Sequence, residues 1–245
     1  MPADEPTILA TSGGLRFGSR TRFEFAPLLR YALELSGATG RPRLCVLDTA
    51  GGDQRWFQAF FAEAGEAAGV SVGFLNVFPM PNVEDPTAYL LDHDAVWVGG
   101  GSVANLLALW RLHGYDAALT AAWRAGVVLA GVSAGSICWH VGGTTDSFGP
   151  DLRPVTDGLA FVPYSNGVHY DSESQRRPLY QRLIGEGALP DGFATDDGAG
   201  LLYRSVTMVE AVSEMAGKGA YSVRRQGSQA VEERLEVRLL PGSSR

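Results

Sequence analysis

The stretch Val127-Val128-Leu129-Ala130-Gly131-Val132-Ser133-Ala134-Gly135-Ser136 runs an apolar, β-type segment into a Gly-x-Ser-x-Gly turn. A buried strand that turns abruptly into a helix forces the serine into a strained backbone conformation, which only small flanking residues permit. The hydroxyl is then exposed at the strand tip. The same turn aims the Ala134 backbone N–H at the place where an oxyanion would form. A serine that merely caps a helix is the plainer alternative. The order of strand, turn and helix favours a nucleophile, Ser133.

A serine hydroxyl needs a base within hydrogen-bond reach. The chain has four histidines. His93, in Leu91-Asp92-His93-Asp94, reads as a solvated loop residue, and His113 ends a helix, where a cation suits the C-terminal dipole. His140 lies seven residues beyond Ser133, roughly 10 Å along a helix axis, too far to reach back. Elimination leaves His169, in Val168-His169-Tyr170-Asp171, as the base. The acid that would fix its tautomer stays open among Asp146, Asp151, Asp171 and Asp197. A second glycine turn, Val98-Gly99-Gly100-Gly101-Ser102, lets backbone N–H groups approach a ligand closely and could complete an oxyanion hole. It lacks the spacing and the lysine of nucleotide-binding loops.

The elements that must position these residues alternate. Strands are expected at Thr7–Thr11, Arg43–Asp48, Val70–Val77, Ala95–Val98 and before Ser133. Helices are expected at Phe25–Leu35, Gln54–Ala68, Val103–Leu112 and Ala117–Ala125, with a Pro-rich connection at Pro79–Pro86. Strands this apolar have no wet face, so the reading is an α/β fold of three layers: a mostly parallel sheet with helices on both faces and the site beyond the strands' carboxyl ends. The second half changes rhythm. Gly142–Asn166 reads as loops and short strands, and Arg176–Gly185 as a helix. Val206–Val212, Gly219–Arg224 and Glu232–Leu240 read as strands completing the same sheet, and Pro241–Arg245 as frayed. With no linker or repeat, residues 1–245 are expected to form a single domain.

The whole-chain properties agree with a cytoplasmic α/β enzyme. The chain has 245 residues, 45% hydrophobic and 19% charged, with 31 glycines. A net charge of -7 argues against nucleic acid as a partner. Cys45 and Cys138, in apolar surroundings, read as buried thiols without disulfide or metal-ligand spacing. No secretory signal and no membrane-spanning run is legible, so no membrane partner is expected. The sequence leaves open whether two copies form a homodimer.

Four ordered motifs resemble a known family: Val98-Gly99-Gly100-Gly101-Ser102, Gly131-Val132-Ser133-Ala134-Gly135-Ser136, Thr144-Thr145-Asp146, and His169-Tyr170 followed by Arg176 and Arg177. Over roughly residues 7 to 212 the chain is similar to the peptidase E family, the S51 serine peptidases that include aspartyl dipeptidases and cyanophycinase-like enzymes. That resemblance implies a fold like the class I glutamine amidotransferases and flavodoxin. It implies Ser133 as nucleophile, His169 as base, Asp146 as orienting acid, and Gly100 and Ala134 as oxyanion donors. It also implies Arg176 as the holder of a substrate carboxylate. The chain departs from the family where its glycine turn continues as Ser102-Val103 rather than Asn-Thr. Asp146 stands closer to the serine than the family's acid does, and Asp171 to Arg177 is short.

The expected activity is hydrolysis of short peptides through an acyl-enzyme, as a dipeptidase releasing N-terminal aspartate, without metal or organic cofactor. An esterase of the α/β-hydrolase type is the first rival, disfavoured because no histidine follows residue 169. An inactive binding protein of the same fold is the second.

Overall fold

The computed structural model describes residues 3–244. The first half forms, in chain order, β1 (Thr7–Thr11), β2 (Leu15–Phe17), β3 (Phe23–Phe25), α1 (Pro27–Leu35), β4 (Arg43–Leu47), α2 (Arg55–Ala67), β5 (Ser71–Phe74), α3 (Pro86–Leu91), β6 (Ala95–Val98), α4 (Val103–His113), α5 (Tyr115–Arg124), β7 (Val128–Val132) and α6 (Ala134–Ile137). After them come β8 (Gly142–Thr145), β9 (Arg153–Val155), β10 (Ser165–Gly167), α7 (Arg176–Glu186), β11 (Gly192–Thr195), β12 (Ala199–Arg204), β13 (Thr207–Met215), β14 (Ala220–Gln226), β15 (Gln229–Arg234) and β16 (Val237–Ser244).

An eight-stranded sheet in the order β16-β13-β12-β1-β7-β6-β4-β5 carries the site. From β1 to β5 its neighbours are parallel, and β12 closes on β1 antiparallel. Successive residues of each central strand feed opposite cores, as the two-residue period of a strand requires. Ile8, Val96 and Leu129 pack under α4 and α5, while Leu9, Trp97 and Ala130 pack against Leu28 and Leu29 of α1 and Phe61 of α2. Both faces are dry, which is why these strands read as continuous apolar runs.

The expectation that the late strands complete one sheet is corrected. A second, six-stranded sheet runs β15-β14-β11-β10-β8-β9, and it takes the predicted strand at Gly219–Arg224. The predicted strand at Glu232–Leu240 divides: its start pairs with β14 as β15, and β16 returns to the first sheet beside β13. Pro241 to Ser244 belong to β16, with Ser244 opposite Met215, rather than fraying; Arg245 lies outside the described residues. Backbone approach explains why the second sheet is hard to read. A Cβ on Gly142 would sit 2.0 Å from the Val155 carbonyl oxygen, and one on Gly143 2.2 Å from that of Asn166. These strands depend on missing side chains, not on an apolar rhythm.

Candidate active site

Ser133 stands between β7 and α6 with φ 57° and ψ −114°, a conformation that costs a non-glycine residue on the order of 1–3 kcal/mol. Its surroundings hold it there. The Ser133 N–H donates to the Thr11 carbonyl at 3.1 Å, and the Ser133 carbonyl accepts from Ser136 and Ile137, both at 2.9 Å. The flanking glycines are required by close approach. A Cβ on Gly135 would lie 2.2 Å from the Val98 carbonyl oxygen, and one on Gly131 2.5 Å from that of Gly135. Ser133 itself is half-buried at the sheet's carboxyl edge. The Ala134 N–H, first of its helix, has no intrahelical acceptor.

The triple-glycine turn after β6 meets this elbow. A Cβ on Gly100 would sit 3.3 Å from Ser133 Cβ and 3.8 Å from Ser133 Oγ. Gly100 thus faces the serine. Among the described residues its N–H has no acceptor, whereas Gly99 N–H donates to Leu47 and Ser102 N–H to Ala50.

His169 arrives from the loop after β10, also with positive φ, 51°. Its N–H donates to Ser12 Oγ at 3.1 Å, one residue beyond the Thr11 carbonyl that holds Ser133. The Gly198 N–H donates to the Ser12 carbonyl at 2.9 Å. The carboxyl end of β1 therefore anchors the loops bearing the serine, the histidine and Asp197. His169 Nδ1 lies 2.5 Å from Asp197 Oδ1. Asp197 is fixed in turn, since its N–H donates to Asp171 Oδ1 at 2.9 Å and Lys218 Nζ lies 2.5 Å from the other oxygen of Asp171. Burial alone would raise the Asp171 carboxyl, but Lys218 and the Asp197 N–H outweigh it and leave it below its ordinary value.

Two expected roles are corrected. Asp146 is not the partner of His169; it lies at the end of β8 and lines a cleft of about 570 Å³ formed with Gly149, Pro150 and the Ser172–Gln175 loop. The imidazole is met from the β11–β12 turn instead, by Asp197. Arg176 is no free carboxylate receptor. It is 2% exposed, with Nε 2.8 Å and Nη2 3.3 Å from the Glu173 carboxylate and Nη1 2.6 Å from the Thr144 carbonyl. As the first residue of α7 it ties that helix to β8. Arg177 pairs with Glu232 and lies over the rings of Tyr170 and Tyr221.

The other histidines stay out of the site. His140 is fully buried, its Nδ1 2.9 Å from the Ser136 carbonyl and its Nε2 3.0 Å from Tyr203 Oη, and burial pushes it down to about 4. The helix after Ser133 ends at Ile137, so the expected two helical turns to His140 do not exist. His93 is 8% exposed rather than solvated, with Nδ1 2.7 Å from the Tyr89 carbonyl. His113 ends α4, as expected.

The profile of Peptidase family S51 matches residues 8–210, most of the chain. The chain belongs to peptidase family S51. A relative from Bacillus subtilis (strain 168), the uncharacterized peptidase YgaJ, is 38% identical over 200 residues, covering 82% of this chain and 86% of the relative. The crystal structure of a peptidase from an acI-B1 Actinobacterium superposes with a TM-score of 0.64 over 95% of both chains at 15% identity. A structure from Listeria monocytogenes EGD-e gives a TM-score of 0.53 at 17% identity, over 95% of this chain and all of the other. These two likenesses concern the fold, an α/β arrangement shared across low identity.

Within this S51 chain, the acid that meets the histidine left a weak trace in the sequence. Asp196-Asp197-Gly198 is an acidic pair at a glycine turn between two apolar segments. Asp196 accepts from the Gly219 N–H at 2.8 Å and Tyr221 Oη at 3.2 Å, and burial raises its carboxyl. One acid therefore closes the second sheet while its neighbour turns to His169.

Proposed function

We propose that this S51 member is a serine peptidase of short peptides, in which Ser133 is the nucleophile, His169 the general base and Asp197 the orienting acid, carried on one catalytic domain. The observation that carries the reading is the 2.5 Å contact of His169 Nδ1 with Asp197 Oδ1, made on loops that the end of β1 ties to Ser133. Asp197, as a carboxylate, accepts from Nδ1–H and leaves Nε2 with the lone pair a base needs. The strained elbow supplies the exposed hydroxyl.

The steps follow from those roles. His169 Nε2 takes the Ser133 proton as Oγ attacks the substrate carbonyl. The N–H groups of Gly100 and Ala134 receive the oxyanion, and their fixed orientation costs no reorganisation when charge develops. Nε2–H then passes its proton to the leaving amine, and water, deprotonated by the same nitrogen, hydrolyses the acyl-enzyme. Donors aimed at a tetrahedral oxyanion are equally suited to a phosphonyl group, so a fluorophosphonate should label Ser133.

Dipeptidase action with release of N-terminal aspartate is the finer expectation, and it rests on the family resemblance. Arg176 gives it no support, because Glu173 already neutralises that guanidinium. We therefore propose hydrolysis of short peptides without a requirement for aspartate at the first position. Comparing Asp-Leu, Ala-Leu and Lys-Leu tests this: similar kcat/KM across the three is expected. Turnover confined to Asp-Leu would restore the aspartyl specificity.

A further inference from the structure

Asp48 follows β4 at the same sheet edge as Ser133, and no step above uses it. It is 5% exposed. A Cβ on Gly99 would lie 2.7 Å from Asp48 Oδ1, and one on Gly51 also 2.7 Å from it, so the carboxyl is clasped between two glycine turns. The turns are locked together around it. Gly99 N–H donates to the Leu47 carbonyl at 2.9 Å and Ser102 N–H to the Ala50 carbonyl at 3.0 Å, and a Cβ on Gly101 would lie 2.3 Å from Ala50 O. Whatever moves the Thr49–Gly51 turn therefore moves Gly100, the residue that faces Ser133.

The charges around the clasp are few. Asp53, 4% exposed on the far side of the same turn, is the ionisable group that acts on Asp48, and its Oδ2 is held by the N–H groups of Val77 and Phe78. Arg55, at the start of α2, acts on Asp53 instead. The Gly99–Ser102 turn and the first turn of α4 bring no ionisable side chain. Burial, opposed by one backbone N–H at Gln54 and aided by Asp53, pushes Asp48 up to about 7.

We propose that Asp48 is a positioning residue for the oxyanion turn: as a neutral acid it holds Gly99–Gly101 in the geometry that presents the Gly100 N–H, and as a carboxylate it slows acylation of Ser133. Two effects act together. A carboxylate behind the turn opposes the negative charge developing in front of it, and a desolvated anion draws water into the clasp and loosens it. The inference rests on Ser133 being the nucleophile.

The test is the rate at which a fluorophosphonate labels Ser133 between pH 6 and 9, followed by intact mass, in wild type, Asp48→Asn and Asp48→Ala. This probe has no amine to titrate. In wild type the rate is expected to pass through a falling limb above pH 7, about tenfold by pH 9. Asp48→Asn, close in shape and uncharged, is expected to match wild type at pH 6 and to lose the falling limb. Asp48→Ala empties the clasp and is expected to label several-fold more slowly than Asp48→Asn at every pH, likewise without a falling limb. A falling limb unchanged in Asp48→Asn overturns the proposal while leaving the nucleophile intact. Wild type that takes no label at Ser133 overturns the nucleophile reading instead, and this inference with it.

Discussion

His169 Nδ1 stands 2.5 Å from Asp197 Oδ1, whereas the adjacent carboxyl of Asp196 is held by the Gly219 N–H and the Tyr221 hydroxyl. Two neighbouring acids on one turn thus serve different partners, one the histidine after β10 and the other the start of β14. Replacing Asp197 with Asn would keep the shape but offer a donor where Nδ1–H needs an acceptor, leaving the imidazole in the wrong tautomer. The expected result is a fall in kcat of about 10³- to 10⁴-fold with KM changed by less than about threefold. Asp146→Asn is expected to stay within about threefold of wild type in kcat. Steady-state kinetics on a dipeptide separates the two acids; the reverse ranking would return the role to Asp146.

The elbow glycines answer to packing. A Cβ on Gly135 has no space beneath the Val98 carbonyl, 2.2 Å away, and backbone cannot swing aside as a side chain can. Gly135→Ala is expected to cost on the order of 1–3 kcal/mol and to lower Tm by several degrees, read by circular dichroism. An unchanged Tm would mean that the elbow is looser than its contacts imply.

Arg176 is expected to behave as a structural residue. Arg176→Ala removes the pairing of Glu173 and leaves the Thr144 carbonyl without its donor, at a cost on the order of 1–3 kcal/mol, discounted because Glu173 is partly exposed. The ratio of kcat/KM for Asp-Leu over Ala-Leu should not move. A selective collapse of Asp-Leu turnover, with stability intact, would identify Arg176 as the substrate's anchor after all.

His140 gives the fold an acid-sensitive point. Its folded-state value of about 4 lies below the ordinary 6.5 of an unfolded chain, so between those values the unfolded state binds a proton that the native state refuses. Stability from this residue is full above about pH 6.5 and is lost as pH falls toward 4, by about 3 kcal/mol in all. Urea unfolding of wild type and His140→Gln at pH 7 and pH 4.5 isolates it. The loss on acidification should be about 2–3 kcal/mol smaller in the variant. Equal losses would place the acid sensitivity elsewhere.

The parallel half of the fold was legible because its strands are dry on both faces and its helices carry one apolar stripe each. Ser133 was legible for a different reason, since its turn demands glycine at both flanks. His169 emerged by elimination among four histidines. The second sheet was not legible: β8 begins Gly142-Gly143 and β10 is Ser165-Asn166-Gly167, where close backbone contact replaces side-chain rhythm. Asp197 could be named only as one of four candidate acids, because the acid that meets His169 comes 28 residues later, from a turn that only the tertiary structure folds back. Arg176 was misread because a sequence displays an arginine but not the Glu173 and Thr144 oxygens that occupy it.

Ser133, in the proposed mechanism, is a nucleophile activated by His169 and Asp197. Fluorophosphonate labelling followed by peptide mapping tests it most directly. One adduct per chain is expected, on Ser133, absent in Ser133→Ala and slowed at least about a hundredfold in His169→Ala and Asp197→Asn. Labelling that persists in Ser133→Ala, or that proceeds at the wild-type rate without His169, would contradict it.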